Sequence, residues 1–368
     1  MKMETINISM KTNIKNYPVF IGNSILKNLQ DFVRKKHNKK RIAVITDYNV
    51  SKLHGQKLKN ALSGFNTLFI SIQAGELSKS RYMKEKIEDT LLNNKFGRDS
   101  LVIAIGGGVV GDLSGFIAST FNRGIPIIHV PTTLLAMADS SIGGKTAVNT
   151  KHGKNLIGAV YQPSAVFADM DFLETLPIEE FRNGLAEIIK MSIIKDKNLF
   201  GLLEKNHKKI MARDKKLLQQ IIKRSIELKK EVVEKDAEES NLRQILNFGH
   251  TFGHALEAYY KYKIRHGYAV AQGILIESKM SELTENLNPQ DRKKIDELLK
   301  SFGFELNIKN LNINKIIEFM ISDKKSRNQK PRFVLLEKIG RIKSEGNNFS
   351  FEVDDKTIEK AIELCKND

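Results

Sequence analysis

Three of the eight histidines of this chain, His250, His254 and His266, lie close together in the sequence. His250 and His254 have the i, i+4 spacing, so on a helix they would share one face. Neutral imidazole is a common zinc ligand, and a catalytic zinc site uses three protein ligands and keeps one position open. Glu187 is a candidate carboxylate ligand, with Lys190 on the same face of its helix. The alternative is that two of the histidines are packed or capping residues, but their grouping favours a metal site.

A glycine-rich turn follows a predicted strand and begins a predicted helix, at Gly106, Gly107, Gly108 and Gly111. Glycines let the backbone approach a pyrophosphate, and a helix N-terminus offers free N–H groups. The spacing fits GxGxxG, but no acidic residue ends the next strand as the usual dinucleotide fingerprint requires. Asp47, at the end of an earlier strand, is a better candidate for a ribose. A tight turn without a ligand is the alternative, and the density of glycines favours a ligand.

A second polar cluster extends over residues 139–155 and contains Gly143 and Gly144 directly before Lys145. The two glycines would allow close approach to an anion, and Lys145 would supply the countercharge. Asp139, earlier in the cluster, would orient a hydroxyl group. A surface loop with a solvated ion pair explains the same residues equally well.

The elements that would position these residues divide the chain into two regions. The first region alternates helical segments with short apolar runs, at residues 41–46, 67–72, 101–105 and 125–130. Such runs are typical of a parallel sheet with helices on both faces. Beyond Pro177 the apolar residues recur at helical spacing. The sequence therefore predicts an α/β domain with a Rossmann-like parallel sheet over 1–178 and a mainly α-helical domain over 179–368.

The composition excludes several classes of protein. The 368 residues carry a formal net charge of +17, which keeps nucleic acid and phosphorylated metabolites open as partners. The absence of Trp and the 7% aromatic content disfavour a stacking surface for single-stranded nucleic acid. The single cysteine, Cys365, excludes a disulfide framework and predicts a reducing, cytoplasmic location. The sequence contains no apolar segment long enough to cross a membrane.

Taken together, the motifs resemble the 3-dehydroquinate synthase family over roughly residues 15–345. They are GELSKS (75–80), GGGVVGDLSGFIAST (106–120), VPTTLLAMADSSIGGKTAVN (130–149), GLAEIIK (184–190), LNFGHTFGHALE (246–257), HGYAVAQG (266–273) and MISDKK (320–325). The resemblance implies a phosphate-eliminating lyase of the shikimate pathway that uses NAD and Zn²⁺, or Co²⁺ in its place. Its substrate would be 3-deoxy-D-arabino-heptulosonate 7-phosphate and its product 3-dehydroquinate.

The resemblance also implies a role for individual residues. The zinc ligands would be Glu187, His250 and His266, and His254 would serve the substrate phosphate or proton transfer. The residues implied at NAD are Asp47, Asn49, Glu76, Lys79, Gly106, Gly107, Gly108, Asp112, Thr132, Thr133, Asp139, Lys145, Lys154, Phe172 and Thr175. Those implied at the substrate are Lys145, Asn155, Lys190, Lys229, Glu239, Arg243, Asn247, Lys324 and Lys325, with Arg123 reaching across a homodimer interface.

Four positions depart from the usual family pattern. In HGYAVAQG (266–273), Tyr268 replaces the usual glutamate and Gln272 replaces the usual apolar residue. In DAEESNLR (236–243), Ala237 replaces the usual glutamate and Asn241 replaces the usual glycine. Each departure lies next to an implied site residue without occupying one. They are expected to affect the efficiency of the site more than the type of reaction.

Two alternatives remain open at the level of sequence. Another sugar phosphate cyclase, such as a 2-deoxy-scyllo-inosose synthase, acts on a substrate without a carboxylate, and the set Arg243, Asn247 and His254 favours dehydroquinate formation instead. A non-enzymatic nucleic-acid-binding protein would need a basic stripe interleaved with aromatics, which the sequence does not contain. The predicted partners are thus a small phosphorylated sugar acid and a second copy of the chain, with neither nucleic acid nor membrane.

Overall fold

The computed structural model describes residues 3–8, 16–38, 40–236, 241–304, 311–322 and 330–367. The chain forms two compact units. Unit 1 comprises Met1–Pro177 and Leu218–Lys230, and unit 2 comprises Ile178–Leu217 and Glu231–Asp368.

The centre of unit 1 is a seven-stranded sheet. The strands of this unit are β1 (Glu4–Ile8), β2 (Tyr17–Gly22), β3 (Arg41–Asp47), β4 (Thr67–Ile72), β5 (Ser100–Gly106), β6 (Ile127–Pro131), β7 (Lys145–Thr150), β8 (Gly153–Val160) and β9 (Ala165–Asp169). The sheet order is β1-β2-β9-β6-β5-β3-β4, and β7 and β8 form a separate antiparallel hairpin. Only the pairing of β1 with β2 is antiparallel among the sheet contacts.

The predicted parallel sheet is confirmed, and it is larger than the sequence pattern indicated. Strands β3, β4, β5 and β6 correspond to the four predicted apolar runs, and β5 is buried along its whole length. Complete burial of a parallel strand is expected when helices cover both faces of the sheet. Strands β1, β2 and β9 were not among the predicted runs, and the pairing of β2 with β9 joins segments that are far apart in sequence.

Four helices of unit 1 are α1 (Leu26–His37), α2 (Tyr48–Ala61), α3 (Arg81–Asn93) and α4 (Gly108–Thr120). Asp47 caps α2, since its carboxylate accepts a hydrogen bond from Val50 N at 3.0 Å. Helix α4, in contrast, has Gly107 at its N-cap position, so no side chain caps its first N–H groups. Parallel pairing places the carboxyl ends of β3, β5 and β6 at one edge of the sheet, where ligands bind in open α/β folds.

Unit 2 is mainly helical, as the sequence predicted. Its helices are α5 (Ile178–Lys195), α6 (Lys197–Met211), the ends of α7 (Lys215–Lys235), α8 (His250–Tyr259), α9 (His266–Leu283), α10 (Pro289–Ser301), α11 (Ile313–Ser322) and α12 (Asp355–Asn367). The short strands are β10 (Arg332–Phe333), β11 (Leu336–Lys338), β12 (Arg341–Ile342) and β13 (Phe351–Glu352). Apolar side chains of α8, α9, α11 and α12, among them Phe252, Ile276, Ile316 and Ile358, form one buried core. No helix within the described ranges is both long and apolar enough to cross a membrane.

The middle of α7 differs from the predicted division at residue 178. Residues Leu218–Lys230 pack with unit 1, although they follow the predicted boundary. Lys223 lies 3.0 Å from the carboxylate of Glu4, and Lys229 donates hydrogen bonds to Asp139. The amphipathic pattern of α7 predicts which face is buried, but it does not identify the unit against which that face packs.

Candidate active site

Three side chains on three helices meet in unit 2: Glu187 of α5, His250 at the start of α8 and His266 at the start of α9. Their ligand atoms all lie within 4.8 Å of one another. Oε1 of Glu187 is 3.4 Å from Nε2 of His250 and 3.3 Å from Nε2 of His266. One carboxylate and two imidazoles form the donor set of a catalytic zinc site.

Glycines make this convergence possible by letting the three helices approach closely. A Cβ atom added to Gly267 would lie 2.1 Å from the backbone oxygen of Asn183 on α5. A Cβ atom added to Gly273 would lie 1.9 Å from the backbone oxygen of Gly249, the residue before α8. The Gly267 N–H donates to Oδ1 of Asn183 at 2.6 Å, which fixes the start of α9 on α5. The glycines that flank the histidines in the sequence therefore serve helix packing.

The second nitrogen of each imidazole is also engaged. Nδ1 of His250 lies 3.1 Å from the backbone oxygen of Phe248, and Nδ1 of His266 lies 3.2 Å from Oε2 of Glu257. Both partners are acceptors, so they favour the tautomer with the proton on Nδ1. This tautomer leaves the Nε2 lone pair of each ring free to bind a metal on the side of Glu187.

The electrostatics of the cluster keep Glu187 ionised and His250 neutral, which are the forms that bind a metal, whereas His266 attracts a proton. Burial acts to raise the pKa of Glu187, but Lys190, at 2.5 Å, and His250 hold it well below its usual value. Burial, reinforced by Lys190, lowers the pKa of His250 to about 3. Burial opposes the charge of His266, yet the carboxylates of Glu187 and Glu257 raise its pKa to about 9. The carboxylates of Glu187 and Glu257 thus favour a positive charge at His266. A divalent cation bound there would displace the extra proton of the imidazolium.

The donor set fits a divalent metal. Within the described residues, neither buried oxygen of Glu187 accepts a hydrogen bond of regular geometry. A second group, His254, Glu257 and His266, also has ligand atoms within 4.8 Å of one another. Glu257 already faces the Nδ1 atom of His266, so its carboxylate is placed to hold that ring. We therefore favour Glu187, His250 and His266 as the metal ligands, with Glu257 as their support.

The change Glu257→Gln is expected to weaken Zn²⁺ binding by about tenfold, the lower end of the effect typical of outer-shell partners. Glutamine still accepts the hydrogen bond from Nδ1 but lacks the charge that increases the basicity of the ring. Competition for Zn²⁺ against a chromophoric chelator measures the change. Glu297→Gln, at a side chain that is 60% exposed on α10, is the matched control. Equal affinity in the two variants would remove Glu257 from the metal site.

A pocket in unit 1 surrounds the glycine-rich turn between β5 and α4. Its lining residues are Ala104, Gly106, Gly107, Gly111, Asp112, His129, Pro131, Ala136, Ser140, Ser141, Gly144 and Lys145. The turn itself needs one of its glycines, because a Cβ atom on Gly106 would lie 2.6 Å from Val110. The glycines are therefore compatible with a ligand without requiring one. The uncapped start of α4 is the feature that favours an anion here.

The structure brings together four residues predicted for the NAD and substrate sites. Lys79, only 4% exposed, forms an ion pair with Asp112 and donates to Oδ1 of Asn155 at 2.5 Å. Burial raises the pKa of Asp112, an effect that Lys79 opposes. Glu76 joins this group through Asn149, whose side chain donates to Oε1 of Glu76 at 2.8 Å.

Asp139 and Lys229, predicted separately, form a direct contact in unit 1. Asp139 belongs to a π-helical turn, Ala136–Ser140, and such turns are frequent at functional sites. Nζ of the buried Lys229 donates to the backbone oxygen of Asp139 at 2.8 Å and to its Oδ1 at 2.7 Å.

Other predicted residues of unit 1 lie at the carboxyl edge of the sheet or on its connections. Thr132 and Thr133 follow β6, Lys145 begins β7 and Lys154 lies on β8. Asp47 and Asn49 lie at the start of α2. Phe172 is buried, with the ring of His54 edge-on to its own ring, while Thr175 is exposed and contacts Nε2 of His54 at 2.8 Å. Arg123 is exposed in a turn after α4.

In unit 2, Arg243 is 3% exposed and lies with Asn247 on a 3₁₀ turn, Leu242–Asn247. Its backbone N–H donates to Asp236 at 2.8 Å. His254 lies beside His250, with 5.3 Å between the ring centroids. The predicted residues Glu239, Lys324 and Lys325 lie outside the described residues.

Two of the departures from the family pattern lie on α9, which carries His266. Tyr268 is partly buried against Phe304, with 5.5 Å between ring centroids. Gln272 is 8% exposed. Asn241 is exposed at the loop before Arg243, and Ala237 lies outside the described part of the chain.

Two residues with clear structural roles, Asn183 and Glu257, were missed at the level of sequence, and Asn149 was included only as a member of the polar cluster over residues 139–155. Glu257 follows His250 and His254 at i+7 and i+3, so the helical spacing contained a signal for it. Asn183 and Asn149 carry no such signal, because their contacts join segments that are distant in sequence.

Sequence models of the 3-dehydroquinate synthase N-terminal and C-terminal regions match residues 69–183 and 184–326. A 3-dehydroquinate synthase of Thermodesulfovibrio yellowstonii is 42% identical over 95% of this chain and 97% of its own length. The chain belongs to the 3-dehydroquinate synthase family. This confirms the family resemblance that the motifs indicated.

The fold of this 3-dehydroquinate synthase family member is shared by related cyclases. A 2-epi-5-epi-valiolone synthase from Streptomyces hygroscopicus, solved with NAD⁺ and Zn²⁺ bound, superposes with a TM-score of 0.87 at 26% identity, covering 98% of this chain and 99% of its own. A 2-deoxy-scyllo-inosose synthase, complexed with carbaglucose-6-phosphate, NAD⁺ and Co²⁺, gives a TM-score of 0.86 at 24% identity and the same coverage. The predicted fold class is confirmed.

Proposed function

We propose that this chain is a 3-dehydroquinate synthase, which converts 3-deoxy-D-arabino-heptulosonate 7-phosphate to 3-dehydroquinate and phosphate. The observation that carries the proposal is the Glu187, His250 and His266 cluster, in a chain 42% identical to a 3-dehydroquinate synthase over nearly its whole length. The inosose synthase alternative has weaker support, because the solved enzyme of that activity is only 24% identical. The substrate class is a small phosphorylated sugar acid, and NAD and a divalent metal are the cofactors.

The two units would have different cofactors. Unit 1 would bind NAD, with the pyrophosphate at Gly106, Gly107 and Gly108, where the start of α4 is uncapped. Unit 2 would bind Zn²⁺ or Co²⁺ through the buried carboxylate and the two imidazoles. When bound, NAD would accept and return a hydride at a substrate alcohol that the metal polarises.

The reaction couples four changes in one substrate. Transient oxidation of an alcohol gives a ketone, which acidifies the adjacent C–H bond and allows phosphate to leave by elimination. Reduction then restores the alcohol, and an intramolecular aldol reaction closes the carbocycle. The protein has to hold one molecule in place throughout, which makes binding and orientation its main contribution.

Buried cations are the natural partners of a substrate with a carboxylate and a phosphate. Lys190 and Arg243 are 2% and 3% exposed, and Lys229 is 6% exposed. Charge-assisted hydrogen bonds contribute about 1.5–3 kcal/mol each, so a few of them are enough to fix the substrate orientation. His254, beside the metal ligands, would serve the phosphate or transfer a proton.

Phosphate release from 3-deoxy-D-arabino-heptulosonate 7-phosphate tests the proposal. Purified protein should release phosphate with only trace NAD and with no net change in absorbance at the NADH wavelength. Release should stop after chelation and return when Zn²⁺ is added. Activity on glucose 6-phosphate alone would instead favour a 2-deoxy-scyllo-inosose synthase, and release that persists after thorough chelation would contradict the metal role.

We also propose a homodimer in which Arg123 serves the site of the partner subunit. Its exposure in the turn after α4 supports this, as does its φ of 65°, a strained conformation for a non-glycine residue. Mixing inactive Arg123→Ala and His250→Gln proteins should restore about a quarter of the activity, since half of the dimers would then have one intact site. A monomer in sedimentation, or no recovery after subunit exchange, would contradict the arrangement.

We propose the cytoplasm as the compartment of the enzyme. NAD and phosphorylated sugar acids are cytoplasmic metabolites, and this is the support for the location. Cell fractionation followed by the phosphate-release assay tests it, and activity confined to another fraction would contradict it.

A further inference from the structure

Asn149 of β7 contacts three of the residues predicted for the NAD and substrate sites. Its backbone N–H donates to the backbone oxygen of Lys79 at 2.8 Å. Its Nδ2 donates to Oε1 of Glu76 at 2.8 Å, and its Oδ1 accepts from the backbone N–H of Asn155 at 3.0 Å. One side chain thus joins the segment before α3 to the β7–β8 hairpin, and it uses both its donor and its acceptor.

An irregularity in the hairpin makes Asn149 available for these contacts. The register of β7 against β8 shifts between Val148 and Thr150, so Asn149 has no partner in that ladder. It forms an isolated parallel bridge with Ser80 instead. Bulges of this kind redirect a side chain and are frequent next to active sites.

Asn155 is held by contacts from both its backbone and its side chain. Its φ of 58° is in the left-handed region, which asparagine adopts more readily than other non-glycine residues. The Asn149 carboxamide oxygen holds its backbone N–H, while Lys79 Nζ holds its side chain. Lys79 in turn forms the ion pair with Asp112 on α4. Asn149 therefore contacts both residues of the Lys79–Asn155 hydrogen bond. It donates to the backbone oxygen of Lys79 and accepts from the backbone N–H of Asn155.

We propose that Asn149 is a positioning residue that sets the geometry of Glu76, Lys79 and Asn155 for dinucleotide binding. This inference rests on the proposed function, which assigns NAD to unit 1. An amide suits the position, because it donates to the carboxylate of Glu76 and at the same time accepts from the backbone N–H of Asn155. An aspartate would place two carboxylates at hydrogen-bonding distance.

The test compares Asn149→Asp with Asn60→Asp, a matched change on the surface of α2. Asn149→Asp is expected to raise the Kd and KM for NAD by about tenfold, which corresponds to losing one charge-assisted hydrogen bond. The kcat at saturating NAD should change by less than about threefold. Asn60→Asp should leave all three values unchanged. A purely structural role would lower the unfolding midpoint of Asn149→Asp while leaving NAD affinity intact, and that result would overturn the proposal.

A double variant tests the contact itself. In the double variant Glu76→Gln and Asn149→Asp, the amide at position 76 can donate to the carboxylate at position 149. The hydrogen bond between the two side chains is then kept, with its donor and acceptor exchanged. The loss of NAD affinity caused by Asn149→Asp should therefore shrink to about twofold in the Glu76→Gln background. An undiminished loss would show that the two side chains are not coupled. If Asn149→Asp does not fold, Asn149→Ser is measured in its place, and wild-type NAD affinity in that variant would overturn the proposal.

The wild-type protein separates this inference from the proposed function. If the wild type neither binds NAD nor releases phosphate, the proposed function fails. If it does both and the Asn149 variants match it, the positioning role alone fails.

Discussion

His250→Gln is expected to abolish tight Zn²⁺ binding, whereas His254→Gln is expected to retain it. The two imidazoles lie one helical turn apart on α8 with 5.3 Å between their centroids, so the pair is closely matched. Loss of an outer partner typically costs 10–100-fold in metal affinity, so loss of a ligand should cost more than about 100-fold. Chelator competition gives the affinity, and the visible spectrum of the Co²⁺-loaded protein reports the ligand geometry.

Phosphate release should fall in both variants but for different reasons. His250→Gln would lose the metal, while His254→Gln would lose about 10²-fold in kcat from proton transfer or phosphate contacts, with its metal in place. The opposite pattern, in which His254→Gln loses the metal and His250→Gln keeps it, would assign the ligands to His254, Glu257 and His266 instead.

Gly267→Ala is expected to cause a large loss of stability for a change of a single methyl group. The added Cβ atom would lie 2.1 Å from the backbone oxygen of Asn183, well inside van der Waals contact, and two helix backbones would have to separate to admit it. Overpacking of this kind costs about 3 kcal/mol, which lowers the unfolding midpoint by roughly 6–12 °C in a unit of this size. Zn²⁺ affinity should fall as well, because His266 directly precedes the substituted residue.

Gly201→Ala is the control for this change. Gly201 lies within α6 of the same unit, and a Cβ atom there would meet nothing within 4 Å. Alanine is the better helix former by up to about 1 kcal/mol, so the midpoint should stay the same or rise by a few degrees. Thermal unfolding followed by circular dichroism measures both variants. A wild-type midpoint and wild-type metal affinity in Gly267→Ala would contradict the close packing of α5 and α9.

Much of the fold could be predicted from the sequence, because a short run of apolar residues indicates a buried segment. The run at 101–105 predicted a strand that is buried on both faces, as β5 is. The helical spacing after Pro177 predicted a helical region, and unit 2 is mainly helical. The pairing of β2 with β9 and the packing of Leu218–Lys230 with unit 1 depend on partners that no local pattern encodes.

The sequence predicted the reactive side chains of the candidate site better than the contacts that hold them in place. Residue type alone identified the imidazoles and Lys190, and the family resemblance supplied the ligand set. The supporting contacts of Asn149 and Asn183 were missed, because they join segments that are distant in sequence and a single asparagine carries no periodic signal. The glycines beside the histidines admit a neighbouring helix backbone, which no local sequence pattern indicates.

The close packing of α5, α8 and α9 has a consequence for engineering this enzyme. Gly249, Gly267 and Gly273 face neighbouring backbone atoms so closely that a library including them would consist mostly of unfolded members. Tyr268 and Gln272 lie on the same helix as His266 and are not glycines, so side-chain diversity at these two positions does not require the helix backbones to separate. A productive search for altered substrate preference therefore keeps the three glycines fixed and varies those two positions.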